Sequence, residues 1–282
     1  MLGTADSQTE FEDIEAWAEH YVLSTDLRVK LFPPPLPKRF RADARPVRLQ
    51  WPGRPPGLRQ ARRGERTPKA EALQEPHYRA RLLHTFWHHE LQAAELMCWA
   101  ALAFADAEPE FRRGLLGVCF DEIRHMNLYR EHIEALGSSL GDFGVRDWFW
   151  KRVPSCSNKV AFVAFMGMGL EAANLEHAPN FAALLRRAGD ETAAGILERV
   201  AREELTHVRF GTHWFTRWTG GCRFDEWVSH LPPPVSPWVL KAQPLAVRER
   251  RSAGMPDDFL AALAAYVPSP KGRPSPASDP AE

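Results

Sequence analysis

The sequence predicts an all-α protein built on a four-helix bundle, two helical hairpins joined by a long crossover, with irregular N- and C-terminal extensions. Four segments, 77–105, 109–136, 158–187 and 190–218, carry apolar residues at three-to-four spacing and hold no interior proline except Pro179. Breaks fall at 106–109 and at Gly189-Asp190, where a cap precedes Glu191, and a longer connection runs from 137 to 154. Hairpins joined by a crossover of roughly twenty residues are one established way to wire such a bundle.

The flanks follow in order. Residues 11–23 predict a short amphipathic helix, since Phe11, Ile14, Trp17, Ala18 and Tyr21 recur at helical spacing. Residues 30–70 predict an irregular basic arm. Its twelve Lys and Arg face only Asp43 and Glu65, and the prolines at 33, 34, 35, 37, 46, 52, 55, 56 and 68 bar a long helix or central strand. Beyond Gly220 a turn-rich stretch with Pro232, Pro233, Pro234 and Pro237 leads to one short helix at 256–266. The organisation expected is an extension at 1–75, the bundle at 76–220, a second extension at 221–266, and a Pro- and Ser-rich disordered tail at 267–282.

Composition narrows the function. With 36 Lys plus Arg against 36 Asp plus Glu in 282 residues, no global field recruits nucleic acid or anionic lipid, so RNA could engage only the local basic arm. The longest uncharged apolar runs, 96–105 and 160–170, fall short of the roughly 20 residues a membrane span needs. Residues 1–19 are acidic where a secretory signal needs a basic start, and a cytoplasmic location is expected. Cys98, Cys119, Cys156 and Cys222 form no CxxC pair, which argues against a zinc ribbon or an internal rubredoxin and favours buried free thiols.

The chemistry lies in acids on stripes that otherwise read as core. The first long segment carries Glu90 and Glu95, the third Glu171 and Glu176, the second Asp121-Glu122-Ile123-Arg124-His125 and the fourth Glu203-Glu204-Leu205-Thr206-His207. The second hairpin repeats the first: Glu90 to Glu171 and Glu95 to Glu176 are each 81 residues, Glu122 to Glu204 and His125 to His207 each 82. Glu and His three apart share a helix face, so each ExxH can address one centre. Four carboxylates with two imidazoles suit iron or manganese better than zinc, and two divalent cations would balance the four glutamates. Positions five apart differ by about 140° around a helix, so only one Glu of each pair can face the axis. Hairpin register leaves both choices open: Glu90 and Glu171 lie level with His125 and His207, Glu95 and Glu176 level with Glu122 and Glu204.

These stretches resemble the ferritin-like di-iron carboxylate superfamily, and most closely a bacterial branch of it related to the tRNA hydroxylase and rubrerythrin families. The resemblance covers about 77–218. It implies a centre of two iron ions, with manganese as the alternative, on Glu90, Glu122, His125, Glu171, Glu204 and His207, and it favours Glu90 and Glu171 over Glu95 and Glu176. Asp121 and Glu203 are candidates to orient the histidines or to face solvent, and Tyr129 to stand beside the centre or pack in the core. The expected function is a non-haem di-iron oxidoreductase that hydroxylates or oxidises an organic substrate, a small molecule or modified nucleotide, with electrons from an external donor. Iron handling or peroxide scavenging of the ferritin and rubrerythrin kind is the first rival, and a metal-free binding bundle the second. The arm and the stretch at 231–238 are expected to pack over the bundle and shape the substrate route.

Overall fold

The computed structural model describes residues 10–58 and 67–268. Arg59, Arg62, Arg63 and Arg66 of the basic arm, and the tail from 269 with its expected disorder, lie outside the described residues. Among the described residues every regular element is helical. The long segments start where the chain offers a prearranged first turn. Helices α3 (Pro76–Ala103) and α4 (Pro109–Ala135) each begin on proline, whose fixed φ and missing N–H suit that position. Their five-residue connection folds α4 back along α3, the pair that makes the most extensive contact in the molecule.

The third segment is one continuous rod in three parts: α5 (Lys159–Phe165), capped by Asn158; a π-helical turn, Met166–Glu171; and α6 (Ala172–Arg187). Helix α7 (Glu191–Thr219) returns along it. The expected Asp190 cap is present, accepting from the Ala193 N–H at 2.9 Å, and the helix ends on Gly220 at φ 75°, a left-handed position that favours glycine. Helix α7 also packs on α4, which joins the two hairpins.

The extensions are more ordered than the sequence suggests. Helix α1 (Ile14–Leu23) fills its expected place, with Asp13 accepting from the Ala16 N–H at 2.8 Å. Lys30, expected in irregular chain, belongs to a short α2 (Leu27–Leu31) capped by Asp26 and is fully buried. Past Leu240 and before α10 (Asp257–Ala265), which matches the expected helix, the stretch read as turns holds α9 (Val247–Ser252), and α8 (Phe224–His230) precedes it. Six or seven residues give too few repeats for a periodic signal, so these helices were invisible as pattern.

One apolar cluster runs from Ile14 to Leu263, so both extensions share the core of the long helices. Buried tryptophans fasten them. Trp17 Nε1 donates to Pro34 O at 2.8 Å, Trp99 Nε1 to Leu49 O at 3.0 Å and Trp227 Nε1 to Ala164 O at 2.8 Å, which satisfies each indole N–H while its ring is removed from water. The run Phe162, Phe165, Met166 and Met168 is core, and all four cysteines are free thiols, three of them buried. No described helix is long and apolar enough to cross a membrane.

Where the π turn meets α7, two glycines let the backbones touch: a Cβ on Gly211 would stand 2.7 Å from Gly167 Cα. Gly211→Val is therefore expected to lower stability by about 1–3 kcal/mol through overpacking. Gly195→Ala, on the same helix with open space around it, should raise stability by roughly 0.5–1 kcal/mol. Urea denaturation of both variants measures this, and a similar loss in the two would contradict the close-approach account.

Candidate metal centre

The six residues that the family resemblance assigns to the centre converge. All are buried, and their ligand atoms form two overlapping groups, each within 4.8 Å of one another: Glu90, Glu122, His125 and Glu204, then Glu122, Glu171, Glu204 and His207. Glu122 and Glu204 belong to both. His125 Nδ1 lies 3.1 Å from Glu122 Oε2, and His207 Nδ1 lies 2.9 Å from Glu204 Oε2 and 3.0 Å from Glu122 Oε1. Each ExxH thus turns its carboxylate and one ring nitrogen into the same space, as three-residue helical spacing requires.

The outward nitrogens are held crosswise. His125 Nε2 pairs with Glu203 Oε2 at 2.8 Å, and His207 Nε2 with Asp121 Oδ2 at 3.1 Å, so the acid preceding each ExxH holds the histidine of the other hairpin. Arg124 joins the two acids, at 2.7 Å to each. Despite some opposing burial, Arg124, Arg199 and His125 hold the Glu203 carboxyl down at about 2. A carboxylate on the outer nitrogen fixes ring orientation and turns the inner nitrogen toward the centre, which is how ligand histidines are usually supported. Of the two sequence expectations for Asp121 and Glu203, orientation is the one the geometry supports.

Glu95 and Glu176 point elsewhere and are neutralised by the extensions. Glu95 meets Lys30 at 2.9 Å, the Arg54 guanidinium, and Trp150 Nε1 at 2.9 Å. Arg54 also binds Asp147 of the crossover at 2.8 Å. Glu176 takes Arg250 of α9 through two 2.7 Å bonds and the Ala246 N–H at 3.0 Å. These partners carry no local sequence signal, because each lies 41 to 74 positions away. Asn174 was also missed, although it sits one turn after Glu171; its Nδ2 donates to Glu204 Oε1 at 3.1 Å.

The repeat also shows where the hairpins diverge. Phe86 and Tyr129 correspond by the same offsets, 81 and 82, to Gly167 and Gly211. On the glycine side the helices close up, leaving a void of about 10 Å³ against Glu171 and His207. On the aromatic side a cavity of about 400 Å³ opens, lined by Glu90, Glu171, Tyr129, Asn174 and a shell of aromatic rings. Thr67 of the arm reaches this cavity, and so does Val239, one residue past the stretch at 231–238 that the sequence singled out.

The acids of the cluster are not equivalent. Burial, then the charges of Glu122 and Glu204, push Glu90 well above the ordinary carboxyl range, and burial with Glu204 and Glu122 does the same to Glu171. Glu122 goes the other way: burial opposes its charge, but His207 and His125 outweigh it. Glu171 Oε1 is buried with no hydrogen-bond partner among the described residues. Such a donor set fits divalent cations, which would satisfy that oxygen and replace the protons on Glu90 and Glu171.

The family described as "Protein of unknown function (DUF455)" matches residues 8–261. The chain belongs to this family. The DUF455 match spans the extensions as well as the long helices. An uncharacterized protein of Haemophilus influenzae (strain ATCC 51907 / DSM 11121 / KW20 / Rd) is 31% identical over 156 residues, 52% of this chain and 54% of the relative. The chain thus spans about half the length of the curated relative it matches. No solved structure matches it.

Two glutamates one and a half turns apart are expected to respond oppositely. In metal-free protein, Glu176→Leu leaves Arg250 buried and unpaired and should cost about 3–5 kcal/mol, whereas Glu171→Gln removes a crowded acid and should leave stability unchanged or raised. The pH dependence has a fixed sign. Glu90 and Glu171 bind protons more tightly folded than unfolded, so their contribution is full below the unfolded carboxyl range and is lost as pH rises through their raised folded values. Urea midpoints of metal-free protein measured upward from pH 4 should fall less steeply in the Glu90→Gln, Glu171→Gln double variant; parallel slopes would refute the assignment.

Proposed function

We propose that the four long helices form a ferritin-like bundle holding two iron ions, with manganese as the alternative, and that the protein is a non-haem oxidoreductase acting on an organic molecule in the adjoining cavity. The observation that carries this is the pair of overlapping four-residue groups sharing Glu122 and Glu204, with Glu90 and Glu171 also in the cavity wall. One cation would be held by Glu90 and His125, the other by Glu171 and His207, with Glu122 and Glu204 common to both. When bound, such ions supply electrons to dioxygen or peroxide; their ligands here are oxygen-rich and buried.

The chain's own residues do the rest. Asp121 and Glu203 hold the imidazoles with Nδ1 inward, and Arg124 fixes those acids in turn. Phe86, Phe149 and Phe181 give the cavity its apolar wall, against which an organic substrate would lie beside Glu90 and Glu171. Tyr129, buried in the cavity wall with Glu90, offers a phenolic proton that burial above all keeps on it. A cavity of this size favours substrate oxidation over simple iron handling, which needs no organic pocket.

Reconstitution with ferrous ion under anaerobic conditions should give about two ions per chain, with proton release and weaker uptake at low pH, because Glu90 and Glu171 must lose protons to bind. His125→Ala and His207→Ala should each disturb both ions, since Glu122 and Glu204 are shared. Admission of air should then change the optical spectrum of the wild-type protein. Elemental analysis reading near zero after reconstitution, with both metals tried, would overturn the proposal.

A further inference from the structure

The cavity beside the centre has a second chamber that the proposed chemistry does not use. About 200 Å³ in volume, it is lined by Thr85, His88, His89, Gly144, Val145, Arg146 and Trp148, and it shares Thr85, His89 and Trp148 with the 400 Å³ cavity. The two are therefore neighbours across one wall, with opposite character. The inner chamber is aromatic. Phe86 meets Phe181 edge to face at 5.1 Å and lies tilted to Tyr129 at 6.1 Å, while Phe149 stacks on His89 at 5.1 Å. Its described lining contains no Lys and no Arg, and its only acids are Glu90 and Glu171 at the centre.

The outer chamber carries Arg146, which is exposed and has no carboxylate partner among the described residues. The nearest acid in sequence, Asp147, is buried and engaged by Arg54 at 2.8 Å and His88 at 3.2 Å. A second cation reinforces the first. Arg152 lies 3.9 Å over the Trp148 ring and donates to Trp148 O at 3.1 Å, close enough to Arg146 for their charges to repel. Arg146 thus brings to this chamber a guanidinium with no carboxylate partner among the described residues. Aromatic walls favour a flat ring by offset or edge contact, and a planar guanidinium favours a carboxylate.

We propose that the two chambers form one bipartite site for a ring compound bearing a single carboxylate, the ring lying in the inner chamber against Phe86, Phe149 and Phe181 and the carboxylate at Arg146. This rests on the metal-centre proposal for its role as a substrate site, and it narrows the substrate to a ring carboxylic acid. A nucleotide is disfavoured: its phosphates need several donors, and its base would have to pass the centre's acids without a cation in the inner wall. Thr85 and His89, on the shared wall, and Asn174, one turn from Glu171, supply the polar contacts that orient the ring.

The experiment is calorimetric titration of metal-reconstituted full-length protein with indole, indole-3-propionate and adenosine monophosphate, with metal content measured on every sample. Indole-3-propionate should bind one per chain and about five-fold more tightly than indole, the scale of one solvent-accessible ion pair. In Arg146→Gln that advantage should vanish while indole affinity stays the same. Thr85→Trp, which fills the shared wall, should remove both ligands at unchanged metal content. Equal affinity of the two indoles in wild type, a preserved advantage in Arg146→Gln, or tighter binding of adenosine monophosphate overturns the proposal. Ligand binding with this same pattern in a chain that takes up no metal would uphold the bipartite site and remove the metal-centre proposal instead, so the two fail separately.

Discussion

Burying carboxylate charge is the constraint on which this structure turns. An ionised acid transferred to a protein interior is costly unless a cation, a proton or a set of hydrogen-bond donors compensates it. The long helices bury Glu90, Glu95, Glu122, Glu171, Glu176 and Glu204, and each is settled differently. Glu95 and Glu176 draw Lys30, Arg54 and Arg250 out of the extensions. Glu15 of α1 likewise takes Arg112 of α4 at 2.6 Å. The flanks are thus bound to the helices by charge as well as by apolar packing, which explains why α2 and α9 are ordered where sequence pattern is weak.

The remaining glutamates stand together with two imidazoles, and here compensation stays within the cluster. Glu122 keeps its charge against His125 and His207, while Glu90 and Glu171 are driven toward the protonated form. A cluster whose acids hold protons because they are buried and crowded is one that a divalent cation can enter by displacing them. The outer carboxylates Asp121 and Glu203 serve orientation, and because each reaches across to the other hairpin, they also tie the hairpins together.

The internal repeat sets up two near-equivalent halves, and the departures from it give the centre a front and a back. Gly167 and Gly211 allow backbone contact behind; Phe86 and Tyr129, at the matching positions, set rings 6.1 Å apart in the wall of the cavity in front. Asn174 corresponds to Ala93 in the first hairpin, so only one half offers an amide to the cavity. The substrate oxidation proposed above would use this one-sided access.

The sequence alone determined the helical class, the extents of the four long segments, the Asp190 cap, the two ExxH pairs that meet and the two glutamate pairs from which one member each joins them. Each is local or periodic: helical spacing, a capping side chain, or a motif repeated at constant offset. Register argument could not separate Glu90 from Glu95 or Glu171 from Glu176, because either pair can be brought level with the ExxH residues. Only tertiary structure decided that, by supplying Lys30, Arg54 and Arg250 to one member of each pair. The crosswise hold on the histidines, the order of the short helices and the cavity were likewise beyond the sequence. All depend on contacts between positions far apart in the chain, whose partners are chosen by packing and charge balance rather than by any pattern that neighbouring residues can carry.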